Sequence, residues 1–212
     1  LVAGMDGDSH PARRIEAIAR TRHPKVKAWL MAKLADPGTL DPRRRRFIQQ
    51  ACIDGLEPFG HEPAVARAFV DVLNDEKAGR FVRERAAKAL VRLANPAAAE
   101  GLIAFHKRDG DHNWPMANLA AQALGAVCGP KTNAYLEQAL SNRRRAYMPW
   151  FGHIAEQAGL KGCTDLVPVL AEAAAYGAKG STVVPDVYRA LGRLGDKRAV
   201  DALMTAVVEL KY

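Results

Sequence analysis

The sequence is poor in cysteine and has no long apolar run. Its three cysteines are an odd number, and no two of them stand in a Cys-x-x-Cys spacing, which argues against a disulfide framework and a zinc site. No apolar stretch approaches the roughly 18–20 residues of a membrane-spanning helix. A glycine-rich phosphate loop and a nucleophile elbow are also missing. We therefore expect no enzyme activity, no cofactor and no metal.

The few cysteines also bear on the compartment. We expect Cys52, Cys128 and Cys163 to be reduced thiols, because a free cysteine packs as a small hydrophobic residue. Reduced thiols favour a cytoplasmic location, while the periplasm stays open, since a repeat protein of this size needs no disulfide. The chain begins with Leu1 rather than Met, which predicts a fragment or a processed product, and residues 1–10 are predicted to be a flexible lead-in.

Strand-like alternation is missing as well. No run alternates between polar and apolar residues for long enough to predict a β-strand. Apolar residues recur instead at helical spacing, as at Val82, Ala86, Ala89 and Leu93. This pattern predicts amphipathic helices and an all-α protein.

A repeat runs through the chain. Residues 86–90, Ala-Ala-Lys-Ala-Leu, recur 34 positions later as Ala-Ala-Gln-Ala-Leu at 120–124. An apolar position in the second half of each repeat recurs at steps of 33 or 34 residues, namely Phe69, Leu102, Leu136, Leu170 and Leu203. A fixed period of this size indicates stacked repeats, each burying its apolar face against its neighbours.

Each repeat is predicted to be a pair of helices. Start signals such as Asn95-Pro96 stand between the two helices, and glycine-rich or Asp-rich connections stand between pairs. The predicted helix pairs cover residues 11–35, 42–75, 79–108, 115–141, 146–176 and 182–211. We expect residues 11–212 to form a single solenoid.

One turn carries a family resemblance. Residues 191–203 read Leu-Gly-Arg-Leu-Gly-Asp-Lys-Arg-Ala-Val-Asp-Ala-Leu. They resemble the consensus of HEAT-like repeats, also called PBS-lyase repeats: an Ala-Leu-Gly helix end, a Gly-Asp turn, then Ala-Val and a later Leu. Residues 92–96 are a looser copy. The resemblance implies a right-handed α-solenoid of about six antiparallel helix pairs. It implies no particular activity, because such repeats serve as scaffolds in unrelated systems.

Positive charge is the main functional signal. Lysine and arginine number 31 against 23 acids, a net charge of +8. Arginine clusters lie at the connections between successive repeats. In a solenoid, these connections lie along one edge. Arginine forks there suit phosphate or carboxylate groups. The predicted basic edge consists of Arg43, Arg44, Arg45, Arg46, Arg80, Arg83, Lys107, Arg108, Arg143, Arg144, Arg145 and Lys179.

Aromatic residues lie close to these clusters in the sequence. The candidate aromatic contacts are Trp114, Tyr147, Trp150 and Tyr176. Rings interleaved with basic side chains are compatible with nucleic acid, where phosphates supply affinity and bases stack. The alternative is that Tyr147 and Trp150 pack between helices and that the arginines form a solvated surface.

A second candidate patch contains histidine and aspartate. Its members are His106, Asp109, Asp111, His112 and Asn113. Such groups can bind a metal, but their spacing matches no metal signature, and the run equally suits a turn and a helix cap. We favour the turn.

Two functions follow from these patterns. The leading interpretation is a non-catalytic scaffold for protein–protein interaction, within a larger protein or assembly, whose partner carries acidic groups. The alternative is a nucleic-acid-binding solenoid that uses the basic edge, related to the HEAT-like DNA glycosylases.

Overall fold

The computed structural model is helical wherever it describes the chain. It describes residues 11–38, 41–109, 114–141, 149–177 and 184–209. Twelve α-helices lie in these ranges as six consecutive pairs, and no strand occurs there. The predicted all-α fold class is therefore confirmed. The handedness of the solenoid stays a prediction.

The helices follow the predicted pairs within a few residues. The paired helices are α1 (Pro11–Ala19) and α2 (Pro24–Ala35), α3 (Pro42–Leu56) and α4 (Pro63–Asn74), α5 (Arg80–Leu93) and α6 (Ala99–Asp109), α7 (Trp114–Val127) and α8 (Pro130–Ser141), α9 (Pro149–Lys161) and α10 (Val167–Gly177), and α11 (Val184–Leu194) and α12 (Val200–Glu209). Short 3-10 turns precede several helices. None of the described helices combines the length and the hydrophobicity that crossing a membrane requires.

Local sequence signals set the helix starts. Proline occupies the first position of α2, α3 and α4, where the missing N–H costs nothing. Before α3, the Asp41 carboxylate accepts hydrogen bonds from the backbone N–H groups of Arg43 and Arg44 at 3.0 and 3.1 Å. The Asn95 side chain caps the next turn by accepting from the Ala97 N–H at 3.0 Å. These caps satisfy donors that the helix itself leaves open.

The backbone contacts divide the chain into two compact units, residues 1–97 and 98–212. In the N-terminal unit, α3 packs against α1, α2 and α5, and α4 packs against α2 and α5. Its core is completely buried at Leu30, Ile53 and Phe69. The prediction of a single solenoid over residues 11–212 stays a prediction.

Ion pairs join successive repeats of the N-terminal unit. Arg85 donates two hydrogen bonds to the Asp54 carboxylate, both at 2.6 Å, and Asp54 also holds the pKa of Arg85 above its ordinary value. Three such pairs span 31 to 35 residues, which is about one repeat, and they are Lys27–Glu62, Asp54–Arg85 and Glu57–Arg92.

In the C-terminal unit, the first helices of successive pairs lie very close together. There α7 packs against α9, and α9 packs against α11. A Cβ atom at Gly125 would stand 2.2 Å from the carbonyl oxygen of Ile154, and one at Gly159 would stand 2.9 Å from the Cα of Ala190. Only glycine permits this backbone approach. Gly192 lies in α11, the first helix of the last pair, and a Cβ there would meet nothing within 4 Å.

A disulfide also joins two repeats of the C-terminal unit. Cys128 and Cys163 are bonded, with their Cα atoms 5.8 Å apart and a separation of 35 positions in sequence. The prediction of three reduced thiols is therefore wrong for this pair. The missing Cys-x-x-Cys spacing was a misleading guide, because the repeat period places both residues at equivalent turns. Cys52 is a free, buried thiol, and burial raises its pKa to about 12.

Candidate functional site

The start of α3 presents a cluster of arginines. Because α3 begins at Pro42, the four arginines 43–46 occupy its first two turns. Arg43, Arg44 and Arg45 are exposed, and Arg46 is half-buried. Arg44 lies 3.5 Å from the Asp41 carboxylate. Within the part of the chain that the structure describes, the other three arginines have no ion-pair partner.

Two exposed phenylalanines stand among these arginines. Phe47 is 42% exposed and Phe81 is 57% exposed. The guanidinium of Arg46 lies 5.3 Å from the centre of the Phe47 ring and 5.2 Å from that of Phe81, so it bridges α3 and α5. Arg43 also lies over Phe47, at 5.9 Å. Such cation–π contacts stabilise exposed rings by about 0.5–1 kcal/mol each. We call Arg43, Arg45, Arg46, Phe47 and Phe81 the arginine–phenylalanine patch.

Sequence reasoning missed both phenylalanines. The signal was present, since Phe47 and Phe81 are 34 residues apart and hold the same position in successive repeats. Each lies near the start of the first helix of its pair. The charged residues around it include basic residues that were predicted from the charge pattern.

A basic cavity adjoins the patch. It has a volume of about 340 Å³ and lies between the starts of α3 and α5. Among the described residues, four cationic side chains and no carboxylate line it; the cations are Arg45, Arg46, Lys77 and Arg80. Arg80 is partly neutralised because its Nε donates to the Glu84 carboxylate at 2.8 Å. Three of the predicted basic residues, Arg45 and Arg46 of α3 and Arg80 of α5, thus meet around one cavity.

The remaining predicted basic residues serve varied roles. Arg83 Nε donates to the carbonyl of Leu73 at 2.8 Å and so ties α5 to α4. In the C-terminal unit, Arg108 pairs with Asp109 at 2.7 Å, and the Lys107 ammonium lies 5.7 Å from the centre of the Tyr135 ring. The positions that lie outside the described residues are Arg143, Arg144, Arg145, Tyr147 and Lys179.

Trp150 is buried inside the C-terminal unit. It is 3% exposed in α9 and meets the His106 ring edge-on, with 4.5 Å between ring centres. The alternative interpretation, packing between helices, describes Trp150 correctly, because a large ring gains most by removal from water. Trp114 begins α7, and Tyr176 lies in the last turn of α10.

Two members of the histidine and aspartate patch, His106 and Asp109, make structural contacts. His106 is buried, with its Nδ1 2.7 Å from the Tyr135 hydroxyl, and Asp109 is engaged by Arg108. Asp111, His112 and Asn113 lie outside the described residues. Across the described ranges, no three His, Cys, Asp or Glu side chains gather where they would share a metal ion.

A larger, open cavity of about 650 Å³ lies in the N-terminal unit. The Asp54–Arg85 and Glu57–Arg92 pairs line it, and Glu16 adds a further carboxylate. Because acids and bases face it together and largely pair with each other, it does not select a ligand by the sign of its charge. The basic cavity is therefore the stronger candidate site.

The family comparison agrees with the repeat pattern. The family model of the PBS lyase HEAT-like repeat matches residues 82–105 and 189–209, which fall within α5–α6 and α11–α12. The chain therefore contains HEAT-like repeats, as the sequence predicted. A search of the curated proteins finds no match.

Proposed function

We propose that this protein is a non-catalytic HEAT-repeat scaffold that binds another protein, within a larger chain or assembly. Repeat proteins of this kind use the surfaces of their helices to bind partners. Its partner carries acidic groups that meet the basic residues at the starts of α3 and α5.

The exposed arginines of α3 carry this proposal. Arg43, Arg45 and Arg46 have no ion-pair partner among the described residues, although they stand at a helix N-terminus. Cations there oppose the helix dipole at a cost of about 0.3–1 kcal/mol each. Helix stability therefore does not explain them, whereas a carboxylate partner would both neutralise them and accept their hydrogen bonds.

The compartment that we propose is an oxidising one, such as the periplasm. The cytoplasmic prediction depended on reduced thiols, whereas Cys128 and Cys163 are bonded. Structural disulfides persist mainly outside the cytosol. Thiol labelling of the protein in freshly lysed source cells tests this point. Blocked Cys128 and Cys163 support the oxidising compartment, and two reactive thiols there contradict it.

Affinity capture from the source cell tests the scaffold proposal. We expect the tagged protein to retain a specific protein partner at physiological salt, and nuclease treatment should not release it. A variant with Arg43, Arg45 and Arg46 changed to serine should lose that partner. Capture of nothing specific would contradict the proposal.

A nucleic-acid-binding function is the second candidate, favoured by the exposed rings of Phe47 and Phe81 beside arginines. Its test is filter binding of single-stranded DNA and RNA. Binding that involves several phosphates should weaken by about tenfold or more between low and physiological salt. If neither nucleic acid binds at low salt, this candidate is eliminated.

A further inference from the structure

We infer that the basic cavity and the arginine–phenylalanine patch together form a docking site for an acidic peptide segment in which carboxylate residues alternate with apolar ones. The inference rests on the proposed scaffold function and specifies its partner and its contact surface.

The cavity supplies the recognition of carboxylates. Arg45, Arg46 and Lys77 line it without an ion-pair partner among the described residues, and no acidic side chain lines it. At about 340 Å³ it is at the lower end of the volume range of small-ligand pockets, so it has room for a carboxylate-bearing side chain. Guanidinium groups bind such a carboxylate with two parallel hydrogen bonds.

The phenylalanines supply the apolar part of the site. Phe81 lines the cavity, and Phe47 extends the apolar surface along α3. Both rings remain about half exposed although each is in contact with Arg46. An apolar side chain next to the bound carboxylate would cover the rings and exclude water from the guanidinium groups, which strengthens their hydrogen bonds.

The arrangement of the rings favours a peptide over a nucleic acid. Base stacking requires a free ring face. Arg46 lies over the rings of both Phe47 and Phe81, and Arg43 lies over Phe47 as well. A base that stacks on those ring faces would have to displace the guanidinium groups, whereas a carboxylate can accept hydrogen bonds from a guanidinium that stays over the ring.

Fluorescence anisotropy with defined peptides tests the site. The main probe is a short fluorescein-labelled peptide of alternating glutamate and leucine, and the comparison probes are an all-glutamate peptide and a single-stranded oligothymidine. We expect the alternating peptide to bind most tightly. Changing Arg45 and Arg46 to serine should weaken its binding by about tenfold or more, the range for lost charged hydrogen bonds.

A charge-matched control separates the site from the overall field of the protein. Changing Arg67 and Lys88 to serine removes the same two positive charges at exposed helix positions outside the cavity. We expect this variant to bind the alternating peptide within about twofold of the unchanged protein, since neither side chain lines the cavity and salt screens exposed charges. Circular dichroism of both variants verifies that they remain folded.

The phenylalanines are tested separately. Changing Phe47 and Phe81 to serine should weaken binding of the alternating peptide by about fivefold and leave binding of the all-glutamate peptide nearly unchanged. Only the alternating peptide has apolar side chains that cover the rings. Equal losses for both peptides would contradict the apolar part of the site.

Other outcomes overturn the inference in distinguishable ways. If the Arg45/Arg46 and Arg67/Lys88 variants weaken binding of the alternating peptide equally, long-range attraction explains the binding and the docking site does not. Tighter binding of oligothymidine than of either peptide would favour nucleic acid. If the Arg45/Arg46 variant still captures the cellular partner, the scaffold function stands and this docking site does not.

Discussion

The two units of the chain are built from the same repeat but are joined internally in different ways. In the N-terminal unit, ion pairs such as Asp54–Arg85 connect successive repeats. In the C-terminal unit, the Lys131–Glu100 pair does so as well, and the Cys128–Cys163 disulfide and the close approach at Gly125 are added to it. Exposed ion pairs contribute about 0–1 kcal/mol each, whereas a disulfide typically contributes about 2–4 kcal/mol. A single repeat motif therefore allows unequal local stability.

Reduction of the disulfide should have the largest effect. Removing a cross-link over 35 residues is expected to cost about 3–4 kcal/mol through the added freedom of the unfolded chain. Hydrogen exchange read by mass spectrometry should show lost protection in residues 114–177 and little change in residues 42–93. The Cys128→Ala/Cys163→Ala variant should reproduce that pattern without reductant. Equal loss in both units would contradict the comparison.

The glycine contact in α7 should have the next largest effect. Gly125→Ala places a Cβ 2.2 Å from the carbonyl oxygen of Ile154, and overpacking of this kind costs about 1–3 kcal/mol. The matched control is Gly192→Ala, where a Cβ has open space. Alanine there should be neutral or stabilise the helix by up to about 1 kcal/mol. Urea unfolding curves measure both, and equal destabilisation would refute the proposed role of the contact.

The ion pairs of the N-terminal unit should have a smaller effect. Asp54 and Arg85 are partly exposed, so solvent screens them, and Arg85→Ala is expected to cost at most about 1 kcal/mol. A double-mutant cycle with Asp54→Ala isolates the coupling energy. A coupling energy larger than the stabilisation by the disulfide would contradict the prediction that the repeats of the C-terminal unit are joined more strongly.

Cys52 should show almost no reactivity. Burial raises its pKa to about 12, so at pH of about 8 the thiol keeps its proton and lacks the nucleophilic thiolate form. We expect the folded, oxidised protein to take up no iodoacetamide, and the unfolded, unreduced protein to take up one equivalent per chain at Cys52. Rapid native labelling of Cys52 would contradict its burial.

The repeat period predicted most of the fold. It located all six helix pairs, because each pair buries its apolar face at a fixed position in the period. The same period would have paired Cys128 with Cys163, which stand 35 residues apart. A rule based on local cysteine spacing misled the prediction, since a solenoid brings together residues that are one repeat apart.

The candidate site was predicted only in part. The charge pattern found the arginines of α3 and α5, but not the exposed phenylalanines between them, because an apolar residue in an amphipathic helix is normally assigned to the core. For Trp150, the interpretation as a residue packed between helices was correct, and the interpretation as a contact residue was not. Proximity to a basic run in sequence suggested a contact residue, while three-dimensional packing places the ring against His106.

Carbodiimide cross-linking of the alternating glutamate–leucine peptide tests the central claim most directly, because this reagent joins a carboxylate only to an amine in contact with it. Lys77 lines the basic cavity, whereas Lys88 and Lys107 are exposed elsewhere and serve as internal controls. Peptide mapping should find the cross-link mainly at Lys77, and excess unlabelled peptide should suppress it. Cross-links spread evenly over the three lysines would contradict a docking site at the starts of α3 and α5.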